Sequence, residues 1–66
     1  MNETFAQRLR RIRKEKGLTQ TALAKKCGLC RNTISAYEIG RIMPNLPTIE
    51  WLCDGLGVTA SELLGF

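Results

Sequence analysis

The sequence has no histidine, only three cysteines and two prolines, and four aromatic residues in 66. Each shortage excludes something. Without histidine, the commonest general base and the commonest metal ligand are missing. Three cysteines with no histidine fall short of the four Cys or His ligands of a structural zinc site. No metal or cofactor is therefore expected. An odd cysteine count also rules out a complete disulfide framework within one chain. No apolar run approaches the ~20 residues of a membrane-spanning helix. The start, Met1 to Lys16, is basic and amphipathic and has no apolar stretch or cleavage site after it, so the chain reads as cytoplasmic. Thiols in that compartment are normally reduced. Sixty-six residues make one domain, 1–66, with a modest core. No nucleophile–base pair or phosphate-binding loop is present, so the sequence reads as a non-enzyme.

What remains is ordinary for a folded domain, with 44% hydrophobic and 24% charged residues. The charge is uneven. Residues 1–31 carry nine of the ten bases and two acids (Glu3, Glu15), a net of +7. Residues 32–66 carry one base, Arg41, and four acids, a net of −3. A one-sided basic surface is the electrostatic footprint of a polyanion binder, although a solvated helix face has the same composition.

Nothing alternates with period two over the length of a strand, and the apolar spacing is helical throughout. An all-α fold of five short helices is predicted. The first helix runs from about Glu3 to Lys16, with Phe5, Leu9 and Ile12 on one stripe, and stops at Gly17. Three further starts place a cap residue between an apolar residue before it and another four positions after it, a hydrophobic staple. These are Leu18–Thr19–Leu23, Leu29–Cys30–Ile34 and Val58–Thr59–Leu63. Thr59 and Glu62 also have the spacing of a capping box. The fourth helix starts at Asn45, tolerates Pro47 in its first turn, and presents Ile49, Leu52, Cys53 and Leu56 on one stripe. Gly28, Gly40 and Gly57 fall where the second, third and fourth helices should end.

Only Gly28-Leu29-Cys30 separates the second helix from the third, which forces a steep crossing. That crossing requires a small residue (Ala24), a positive φ in the turn (Gly28), and apolar residues in the angle (Leu29, Ile34, Tyr37). All are present. The unit from about 20 to 39 is therefore a helix-turn-helix whose second helix can enter a major groove.

The stretch from Leu18 to Leu64 resembles the phage-repressor, or Xre/Cro, type of helix-turn-helix domain. It has Thr-Gln opening the second helix, then Leu-Ala and Gly. Ile-Ser, an aromatic, Glu and Gly follow, then Pro, Leu-Gly-Val and a final Leu-Leu. It departs from that pattern with Cys30 in place of Ser or Thr, and with Ile39, Ile42 and Met43 where polar or basic residues are common. The resemblance implies a five-helix bundle of the lambda-repressor-like kind. It also implies a sequence-specific regulator, usually a repressor, that binds double-stranded DNA as a homodimer on a pseudo-palindromic operator.

With Ile34 and Tyr37 inward, the outward face of the third helix centres on Asn32 and Ala36, flanked by Arg31, Ser35 and Thr33. Arg31 suits guanine O6/N7, Asn32 suits adenine N6/N7, and Ala36 suits a thymine methyl. Cys30 starts that helix and would sit against DNA as well. The resemblance implies that Gln20 touches a phosphate and braces the recognition helix. Thr19, Lys25, Thr33 and Arg41 are the other phosphate candidates. Arg8, Arg10 and Arg11 read as general positive field. The family pairs an Arg of the first helix with the Glu ending the third, so Arg13 and Glu38 should form a structural salt bridge. A thiolate is favoured at a helix start, so oxidation at Cys30 would disturb binding. Against that, Cys30 also reads as a serine substitute, and Cys27 and Cys53 as small core hydrophobes. Trp51 lies off its helix's stripe. With Leu64 and Phe66 it would make an exposed apolar patch, the mark of a dimer interface or of a tail folded over Trp51. The competing reading of the whole chain is a protein-interaction module such as an antitoxin, favoured by the same three residues.

Overall fold

Thr4 starts the first helix, in a computed structural model that describes residues 3–66. Its hydroxyl accepts the Gln7 N–H at 3.1 Å, and the Gln7 amide oxygen accepts the Thr4 N–H at 3.0 Å. This reciprocal box satisfies two donors that a helix start leaves free. Helix α1 therefore spans Phe5–Glu15 rather than beginning near Glu3. Four more helices follow: α2 (Gln20–Cys27), α3 (Arg31–Glu38), α4 (Leu46–Leu56) and α5 (Ala60–Leu64). No strand occurs among the described residues. The fold is the expected all-α, five-helix bundle.

Side-chain caps set the other starts. Thr19 accepts from Ala22 N–H at 3.0 Å and Asn45 from Thr48 N–H at 3.0 Å. Thr59 accepts from Glu62 N–H at 3.1 Å, but the Glu62 carboxylate takes the Thr59 hydroxyl instead of its backbone N–H. Only one arm of the box expected there is formed. Cys30 occupies the cap position of α3 without a side-chain cap bond. Sulfur is a poor acceptor, so this start relies on packing and on the Thr33 and Ile34 N–H groups donating to the Cys30 carbonyl at 3.0 and 3.3 Å.

The apolar stripes meet in one core. Leu9, Leu23, Ile34, Leu52 and Leu63, one from each helix, are fully buried. Ile12, Ala24, Tyr37, Ile49 and Leu56 fill the space between them. Helix α2 packs against α3 and α4, while α1 packs against α3 and α5. The α2–α3 link closes with the Leu29 N–H on the Ala24 carbonyl at 2.8 Å. Gly55 lets α4 pack tightly on α2. A Cβ there would lie 2.7 Å from the Cys27 sulfur.

Candidate nucleic-acid interface

The candidate site is the outer face of α3. Ile34, Tyr37 and Glu38 turn inward and are buried. That choice leaves Arg31, Asn32 and Ile39 exposed and Thr33, Ser35 and Ala36 half-buried. Asn32, Ser35, Ala36, Ile39 and Arg41 line one open depression. Gly40 brings Arg41 to this face. With φ at 77°, it reverses the chain so that the Arg41 N–H returns to the Ala36 carbonyl at 2.9 Å and the Gly40 N–H to Tyr37 at 3.2 Å. These two bonds are a Schellman closure, and glycine reaches the required φ without a Cβ penalty.

Beneath α3 lies a buried charge network. Arg13 Nε donates to Glu38 Oε2 at 2.6 Å, and a second guanidinium nitrogen donates to Oε1 at 3.0 Å. The two side chains are 9% and 3% exposed. Arg13 also donates to the Leu18 carbonyl at 2.7 Å, and the Gln20 amide donates to Glu38 Oε1 at 3.1 Å. The network therefore ties α1, the start of α2 and the end of α3 together. Its contacts leave no buried side-chain nitrogen or oxygen unpaired among the described residues. One of the two Gln20 amide hydrogens is used in this way and the other remains. Thr19 likewise accepts through its oxygen and keeps its own hydrogen.

The cations divide into engaged and free. Arg8 donates to the carbonyls of Leu64 and Glu3 at 3.2 and 2.8 Å. Arg11 pairs with Glu3 at 2.8 Å and with Glu15 at 3.2 Å. The Arg11 hydrogen bond holds the Glu3 carboxyl below its ordinary range. Arg8 therefore ties α1 to the end of α5, Arg11 pairs locally along α1, and neither is the unpaired cation expected of it. Among the described residues, Arg10, Lys14, Lys16, Lys25, Lys26, Arg31 and Arg41 are exposed and make no ion pair.

The apolar surface is distributed differently from the expected patch. Trp51 is 48% exposed and Phe66 83%, but Leu64 is half-buried against the core. The backbone carbonyl of Leu64 is held by Arg8, which draws the end of α5 onto α1. A second exposed set, Ile39, Ile42, Met43 and Leu46, runs from the end of α3 to the start of α4. The signal for it was in the sequence, as apolar residues in a short loop, but spacing alone assigned them no face. No group of three metal-ligating side chains lies together among the described residues, and no helix there is long and apolar enough to cross a membrane.

The three thiols differ. Cys27 and Cys53 are buried, and desolvation pushes both above the ordinary thiol value, helped by the Asp54 charge. Cys27 donates to the Trp51 carbonyl at 3.3 Å. Cys30 is exposed at the head of α3.

Comparison with known proteins places this geometry. A family model described as a helix-turn-helix domain matches residues 4–64. The chain is 40% identical over 62 residues to the immunity repressor protein of Bacillus phage phi105, a match covering 94% of this chain and 43% of that one. Among solved structures, it resembles the restriction-modification controller protein C.AhdI from Aeromonas hydrophila with a TM-score of 0.89, at 38% identity and 92% coverage of both chains. It resembles the P22 c2 repressor, solved in complex with a synthetic operator, with a TM-score of 0.88, at 28% identity and 96% coverage of both. The chain spans about half the length of the first curated relatives it matches, from 43% to 56%.

Proposed function

The chain belongs to the helix-turn-helix domain family, in its phage-repressor-like branch, and on that premise we propose that it is a sequence-specific transcriptional regulator, a repressor that binds double-stranded DNA as a homodimer. The carrying observation is the α3 face. Arg31 and Asn32 are exposed on it, it is held by a buried ion-pair network, and Arg31 and Arg41 at its two ends make no ion pair among the described residues. Relatives and structural neighbours named as repressors and controller proteins support the same reading. In this reading Arg31 and Asn32 read guanine and adenine edges, while Ser35, Ala36 and Cys30 complete the base contacts. Thr19 donates its hydroxyl hydrogen and Gln20 its remaining amide hydrogen to a phosphate at the head of α2, where the helix dipole favours an anion. Lys25, Thr33 and Arg41 supply further phosphate contacts. Trp51, Leu64 and Phe66 form the dimer side, and two α3 helices enter successive major grooves about 34 Å apart.

Selection of bound duplexes from a random DNA pool, under reducing conditions, tests this. An enriched palindrome is the expected result, and its half-site spacing reports the dimer. A folded protein that enriches no sequence would sink the proposal. That outcome would favour the second reading, a protein-binding module, which rests on the exposed Ile42, Met43, Leu46, Trp51 and Phe66.

A further inference from the structure

Ile39 is 69% exposed, yet it lies on the face that carries the recognition residues. It stands one helical turn beyond Ser35 and two beyond Asn32, and three positions after Ala36, so its side chain adjoins theirs. The shared depression confirms that neighbourhood, with Arg41 closing its far side. Ile39 contributes nothing to the core, which is complete without it. Nor does the helix end need it, since Gly40 and the returning Arg41 N–H make that closure through backbone. Exposed isoleucine and half-buried alanine thus form a small apolar strip among polar and cationic side chains. A major groove offers one apolar feature that fits such a strip, the C5-methyl group of thymine.

We infer that Ile39, backed by Ala36, is a specificity-determining residue that reads a thymine methyl. The inference rests on the reading of α3 as the helix that enters the groove. Asn32 and Ile39 are seven residues apart, about 10 Å along a helix. At about 3.4 Å per base pair, the thymine lies at most roughly three pairs from the base read by Asn32. The cations around the strip favour DNA over an apolar protein partner at this face: Arg41 borders it, and Arg31 heads the same helix with no ion pair among the described residues.

The test uses the duplex enriched from the random pool. Each thymine is replaced singly by deoxyuridine, which removes the methyl and leaves the pairing edge intact. Binding of the wild-type chain and of Ile39→Ala is then measured at one salt concentration. Ile39 is exposed, so the variant should fold normally, and circular dichroism checks this. At one thymine per half-site the wild-type chain should lose about fourfold in affinity, the worth of one buried methyl. Ile39→Ala should bind the thymine and deoxyuridine duplexes equally. Specific binding in which no replacement matters, or in which Ile39→Ala shows the same loss as wild type, overturns the inference and leaves the DNA-binding reading standing. Failure to enrich any duplex overturns that reading and the inference with it.

Discussion

Replacing Glu38 with glutamine keeps the shape of the side chain and removes its charge. In the native fold this carboxylate accepts two hydrogen bonds from Arg13 and one from Gln20. The Arg13 side chain is only 9% exposed, so water has little access to replace the lost partner. Breaking a buried pair on one side costs about 3–5 kcal/mol, because an uncompensated charge stays behind. A 66-residue domain has only about 3–10 kcal/mol of total stability at ordinary values per residue. Glu38→Gln should therefore consume a third or more of it. With a urea m-value of about 1 kcal/mol/M for so small a chain, the midpoint should fall by about 3–5 M. The assay is urea unfolding followed by circular dichroism. Replacing both partners, as Arg13→Met with Glu38→Leu, should recover most of the loss, since an apolar pair carries no buried charge. A midpoint shift of less than about 0.5 M in Glu38→Gln would refute the reasoning. So would a double variant no more stable than the single one.

Other consequences are open to simple assays. Gly55→Ala should destabilise by about 1–3 kcal/mol despite alanine's better helix propensity, because the new methyl meets the Cys27 sulfur. Cys27→Ala in the same chain should relieve most of that loss, and additive effects in urea unfolding would count against the contact. Arg31→Ala should cost about 1–3 kcal/mol at one base position, seen in a fresh duplex selection. Lys25→Ala should instead weaken all duplexes alike and reduce the slope of log affinity against log salt by about 0.9. Identical behaviour of the two variants would show that α3 does not lie in the groove. Native protein should titrate one thiol fast with Ellman's reagent, Cys30, and two slowly. The buried thiols also set an alkaline limit. Their folded values are raised above about 8.5, so the folded state keeps protons that the unfolded chain releases. Stability should hold below that pH and fall as pH rises from there toward the folded values. Unfolding midpoints that stay flat across that window, or that move equally in Cys27→Ala, would contradict the assignment.

Much of the candidate site was legible before any coordinates. The α3 face followed from Ile34 and Tyr37 pointing inward, and Arg13 with Glu38 followed from resemblance to a family. The division of the cations was not legible. A count of nine bases in 1–31 says nothing about which ones meet a carboxylate, and Arg8, Arg11 and Arg13 all do. The sequence groups Leu64 with Trp51 and Phe66 as an exposed patch, with a tail folded over Trp51 as the alternative. Its side chain packs half-buried against the core, and Arg8, 56 residues earlier, holds its carbonyl.

The sequence by itself determined where the helices start and stop and which stripe each one buries. Those features depend on residues within four positions of one another: Thr19 and Ala22, Asn45 and Thr48, Gly40 and Tyr37. Such contacts form wherever the local chain is helical, so spacing alone predicts them. Tertiary structure decided what no local spacing encodes: that Arg8 reaches the Leu64 carbonyl, and how closely α4 approaches α2 at Gly55. These depend on groups brought together by the packing of the core. Charge pairing and steric fit fall off within a few ångströms, and only the folded chain sets distances that short between residues far apart in sequence.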